Sequence, residues 1–69
     1  MSHLVKRSFS LAGHRTSVAL EPEFWEALSR LAARRGRVLS ALVAEVDASR
    51  SADRPLASEL RVHALLQPR

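Results

Sequence analysis

Three features of the sequence predict a mainly α fold with one short N-terminal strand, completed by a second copy of the chain. Residues 14 to 20 alternate in polarity and run straight into Glu21 and Pro22, two stretches of helical periodicity flank Gly36, and a third helical stretch follows Pro55. The 69 residues make one domain at most. A chain of this size buries only about 60% of its unfolded surface, so a core built by one copy is marginal. No cysteine is present to staple it, and His3, His14 and His63 are too far apart in sequence to suggest a metal centre, so no cofactor is expected. Dimerisation is the remaining remedy.

The elements follow in order. Residues 1 to 7 carry His3, Lys6 and Arg7 with little to bury and read as a flexible basic arm. Ser8-Phe9-Ser10-Leu11 alternates, and Ala12-Gly13 offers a turn. This stretch either forms a hairpin with residues 15 to 20 or extends a ribbon between two copies. In the main strand Thr16, Val18 and Leu20 share the core face while Arg15, Ser17 and Ala19 share the other. A lone strand leaves backbone donors and acceptors unpaired, and its expected partner is the same strand of a second copy, antiparallel.

Pro22 suits the first helical position, and Glu21, Glu23 and Glu26 place negative charge at the positive end of the helix dipole. Phe24, Leu28, Leu31 and Ala32 form the apolar stripe with Trp25 on its flank, and Gly36 ends the helix near residue 35. A second helix carries Leu39, Leu42, Val43 and Val46 on one stripe and stops near Ser49. Residues 50 to 54 read as a connector, because they are polar apart from Ala52 and precede Pro55. From 55 to 67 the chain is helical again, with Leu56, Leu60, Val62, Leu65 and Leu66 spread over a wide arc that implies contact on more than one side. The organisation is thus an arm at 1–7, a core at 8–50, and a connector with a C-terminal helix at 51–69.

Eleven Lys and Arg against seven Asp and Glu give a formal charge of +4. A basic balance of this kind favours polyanionic partners or serves solubility alone, so charge supports a functional reading without deciding it. No apolar run approaches the roughly 20 residues that cross a bilayer, and the N-terminus lacks the apolar stretch of a secretory signal, so a cytoplasmic protein without membrane association is expected. Ser17, His14 and Asp47 make no catalytic arrangement, and a chain this small leaves little room for a substrate pocket, so an enzyme is not expected.

Strand, helix, Gly-containing turn and helix in this order resemble the ribbon-helix-helix family of DNA-binding proteins. The run Gly13-His14-Arg15-Thr16-Ser17-Val18-Ala19-Leu20-Glu21-Pro22-Glu23-Phe24-Trp25, with Arg35-Gly36 and Leu39-Ser40-Ala41-Leu42, is similar to a small bacterial subfamily of it. The likeness covers residues 7 to about 66. It implies an intertwined homodimer whose paired strands enter the major groove, with Arg15, Ser17 and Ala19 at the three outward positions that meet bases. It also implies that the turn from Gly36 through Arg37, Val38 and Leu39 to Ser40 holds a phosphate. Lys6, Arg7 and His14 are further phosphate candidates.

Each role has a physical basis. Arg15 can donate two hydrogen bonds to guanine, the Ser17 hydroxyl bonds to several bases, and Ala19 offers only apolar contact with a thymine methyl. Val38 supplies no capping hydroxyl, which leaves the backbone N–H groups of residues 39 to 41, the Ser40 hydroxyl and Arg37 to hold an anion. Val18, Leu20, Trp25, Leu28, Leu42 and Val46 are expected in a dimer core. The function expected is therefore sequence-specific binding of double-stranded DNA by a homodimeric transcription regulator, a repressor acting at the nucleoid. The competing expectation is a dimerising interaction module, antitoxin-like, whose C-terminal helix docks a partner protein.

Overall fold

The structure, a computed structural model, describes residues 3–66. Its first element is a hairpin in which β1 (Val5–Leu11) pairs antiparallel with β2 (His14–Leu20). The turn explains why the pairing is local. Ala12 and Gly13 both have positive φ, 51° and 84°, the backbone that a two-residue turn needs to match the twist of its strands. Thus residues 8 to 11 take the hairpin role, and β2 finds its partner in its own chain. The arm expected over 1–7 is corrected as well, since Val5, Lys6 and Arg7 are strand residues held by the ladder. Of that arm, residues 1 and 2 lie outside the described residues.

Three helices follow: α1 (Pro22–Arg34), α2 (Leu39–Ser49) and α3 (Leu56–Leu66). Pro22 sits in the first turn of α1, as its missing N–H allows. At the other end Gly36, with φ 66°, closes a Schellman motif: its N–H donates to the Ala33 carbonyl at 3.0 Å, and the Arg37 N–H donates to the Ala32 carbonyl at 2.9 Å. That motif turns the chain sharply into α2. The connector at 50–54 is tied down by Arg50, whose guanidinium donates to the Asp47 carboxylate at 2.9 Å and to the Arg54 carbonyl at 2.8 Å.

One face of the hairpin is covered by helices, α2 lying against β1 and α3 against β2, with α1 packed on both helices. Leu20, Leu28, Leu42, Val43 and Leu60 are fully buried, and Val46 nearly so. Val18, Leu20, Trp25, Leu28, Leu42 and Val46, expected in a dimer core, are therefore covered within a single chain. The physical reason is α3, which inserts Leu56, Leu60 and Ala64 where a second copy was expected to pack. A radius of gyration of 11.5 Å agrees with about 11 Å for a self-contained domain of this length.

Trp25 lies deeper than its expected place on the flank of α1. Its ring centroid is 5.8 Å from that of Phe9, and its indole N–H donates to the Val5 carbonyl at 2.8 Å, satisfying its one polar atom. Phe24 is the half-buried flank residue instead, beneath the Arg61 guanidinium.

Candidate nucleic-acid interface

Strand alternation divides the hairpin residues into two sets. Val5, Arg7, Phe9 and Leu11 of β1 lie opposite Leu20, Val18, Thr16 and His14 of β2, and this face carries the buried residues. On the other face Lys6 lies opposite Ala19, Ser8 opposite Ser17, and Ser10 opposite Arg15. Arg15, Ser17 and Ala19 are thus brought onto one surface, as the alternation of β2 predicts. Lys6 joins them, whereas Arg7 does not. The Arg7 guanidinium stacks 5.4 Å from the Trp25 ring centroid on the helix side, where a cation and an aromatic face attract. His14 is exposed at the turn end of β2.

Sequence reasoning missed Ser8 and Ser10, although the alternation of Ser-Phe-Ser-Leu carries the signal for both. Their hydroxyls bond across the ladder: Ser8 Oγ to Ser17 Oγ at 3.0 Å, and Arg15 Nη1 donating to Ser10 Oγ at 3.1 Å. The outward surface therefore consists of hydroxyls, one methyl and two cations, with no carboxylate among them. Residues 5 to 20 hold three cations and no acid, while the other eight cations share the chain with all seven acids. Most of the net +4 is carried by the hairpin.

The helical layer treats its arginines differently. Arg30 pairs with Glu26, Arg50 with Asp47, Arg54 with Glu59, and Arg61 with Glu21, while Arg35 and Arg37 share Glu45 at 3.3 and 2.8 Å. Lys6, Arg7 and Arg15 pair with no carboxylate among the described residues. The Glu21 carboxyl is held below its ordinary value by a hydrogen bond from backbone, which outweighs burial, and by the Arg61 guanidinium.

At the start of α2, Val38 is the N-cap residue and gives no side-chain cap, as its aliphatic side chain dictates. The Ala41 N–H donates to the Val38 carbonyl at 3.1 Å, so it is not open as expected. Leu39 and Ser40 supply the first N–H groups of the helix, which lack intrahelical acceptors. Gly36, Arg37 and Ser40 are exposed, and Val38 keeps 68% of its surface in contact with solvent. Arg37 there already spends one N–H on Glu45, an exposed pair of the kind worth about 0 to 1 kcal/mol.

Among the described residues no group of three metal-ligating side chains lies together, and no helix is long and apolar enough to cross a membrane. Comparison with known families matches residues 4–67 to the ribbon-helix-helix domain. Among solved structures, an uncharacterized protein from Bordetella pertussis Tohama I is similar at 33% sequence identity and a TM-score of 0.76. That match covers 91% of this chain and 54% of the other, so the present chain spans about half the length of that protein. No curated protein matches the chain.

Proposed function

This chain belongs to the ribbon-helix-helix family, and from that premise we propose that it binds double-stranded DNA sequence-specifically as a homodimer, regulating transcription as a cytoplasmic repressor. The observation that carries the reading is the acid-free outward surface of the hairpin, where Lys6 and Arg15 stand among hydroxyls with no carboxylate to repel a phosphate backbone. A two-stranded ribbon fits a major groove about 12 Å wide. Members of the family dimerise and bind DNA. Here β1 occupies one edge of β2, while the other edge of β2 has no strand beside it among the described residues. An unpaired edge is a template for a second chain. Two copies joined there, β2 to β2, form a four-stranded sheet that brings two sets of Arg15, Ser17 and Ala19 to its centre.

In this assembly each copy keeps its own core. Arg15 reads a guanine, Ser17 and Ala19 make the less selective contacts, and Lys6, His14 and the Gly36 to Ser40 turn hold phosphates. Arg7 neutralises phosphate only if it leaves the Trp25 ring.

Selection of bound DNA from a random pool, followed by mobility-shift titration at two salt concentrations, tests the reading. Arg15→Ala should relax preference at one base pair per half-site by about 1 to 3 kcal/mol. A parent protein that retains no duplex at low salt ends the proposal. The second reading, an antitoxin-like interaction module, rests on Leu65 and Leu66, which are 74% and 76% exposed at the end of α3.

A further inference from the structure

The hairpin places a second strand beside the one that carries the readers, and it touches Arg15 directly. We propose that Ser10 is a positioning residue for DNA recognition: its hydroxyl accepts a hydrogen bond from Arg15 Nη1 and holds the guanidinium ready for a guanine. The inference rests on the DNA-binding reading above.

Neighbouring strands lie 4.7 to 4.9 Å apart, so a sheet of order β1-β2-β2-β1 spans about 14 Å between its outer strands. A groove of about 12 Å admits the central pair at base depth and leaves each β1 at the rim. Ser10 is directly opposite Arg15 in the ladder, so a hydroxyl at the rim accepts from the Nη1 end of the reader's guanidinium. It takes one N–H of the guanidinium and leaves the rest of the fork for the O6 and N7 of guanine.

The effect is one of ordering. An exposed arginine samples many rotamers, and immobilising a side chain of this kind on binding costs about as much as a two- to tenfold change in affinity. A partner that restricts it beforehand returns part of that factor, and does so only for complexes in which Arg15 contacts a base. Ser8 and Ser17 form the equivalent cross-strand pair one step along, but both are short side chains with little rotamer freedom to lose. The leverage therefore lies at Ser10.

The test uses the full chain and the duplex selected from the random pool, together with duplexes altered at each base pair. Parent, Ser10→Ala, Ser10→Thr, Arg15→Ala and the Ser10→Ala/Arg15→Ala double variant are titrated against each, after thermal melts confirm that all are folded. Ser10→Ala should lower preference at the base pair read by Arg15 by two- to tenfold. It should have no effect once Arg15 is gone, and Ser10→Thr, which keeps the hydroxyl, should behave like the parent. An equal loss with and without Arg15 would mean that Ser10 contacts DNA itself and overturns the inference, as does a Ser10→Ala variant with parental preference. Should the parent show no preference among duplexes, the DNA-recognition reading fails first, and that result is distinct from either.

Discussion

The hairpin and the helical layer of this small domain hold their cations in opposite ways. Around the helices, Arg30, Arg35, Arg37, Arg50, Arg54 and Arg61 each lie against a carboxylate, so their charge is largely neutralised within the fold. In the hairpin, Lys6 and Arg15 face outward with hydroxyls and a methyl for neighbours. Function is therefore to be sought on the hairpin. Net charge alone does not separate solubility from binding, but a segment that keeps its charges unpaired on one flat surface is electrostatically prepared for an anion.

That contrast depends on the helical layer supporting the hairpin from within a single chain, and the largest expected effect comes from removing the support. Leu60 is fully buried in α3, which packs against β2. Leu60→Ala should destabilise the domain by about 2 to 5 kcal/mol, the usual cost of such a cavity, read by chemical denaturation of the purified protein. A loss below about 1 kcal/mol would mean that α3 contributes little to the core and that a second copy supplies the missing cover.

Much of this layout was legible beforehand. The bounds of α1, α2 and α3 follow from Pro22, Gly36 and Pro55 together with apolar spacing, because those residues act locally through the backbone. β2 follows from its alternation. β1 is harder to read, since Arg7 occupies a core-face position and breaks the pattern that Phe9 and Leu11 continue. Only the tertiary contact with Trp25 makes an arginine acceptable there. The depth of Trp25 is ambiguous for a related reason: spacings of three and four link Leu28 and Ala32 to Trp25 as well as they link Leu28 and Leu31 to Phe24. Periodicity cannot choose between two adjacent aromatics. Size reasoning points to a core shared between copies, whereas Leu56, Leu60 and Ala64 of α3 help to complete one within the chain. Within the candidate site, the outward residues of β2 were readable and the alternation of β1 carries the signal for Ser8 and Ser10, but which hydroxyl meets which partner requires the register.

A smaller effect sharpens the contrast between paired and unpaired charge. Each phosphate neutralised steepens the dependence of log affinity on log salt by about 0.9. Lys6→Met should flatten that slope by about this amount per bound copy, because the ammonium has no carboxylate partner among the described residues to lose. Arg37→Met should flatten it less, because Glu45 already offsets Arg37 at 2.8 Å. Equal changes in the two variants, measured by titration over a range of salt, would mean that DNA draws Arg37 away from Glu45 and that pairing within the fold does not set a cation's availability.

The smallest effect concerns the junction of the two regions. Glu21 lies between β2 and α1 as the N-cap residue of that helix, and receives the Arg61 guanidinium of α3 at 3.1 Å. Its carboxyl is held below the ordinary value of 4.5, first by the backbone hydrogen bond and then by Arg61. A group with a depressed folded pKa stabilises the fold above its unfolded pKa, and the contribution fades as pH falls through the folded value. Melting temperature should therefore decline more steeply below pH 4.5 in the parent than in Glu21→Gln, where no proton is linked to unfolding at this position. Because backbone is the larger cause, Arg61→Met should keep most of the parental decline. If Arg61→Met instead flattened the acid limb as fully as Glu21→Gln, the ion pair would be the dominant link, and the hairpin would be fastened to the helices by charge as well as by its buried face.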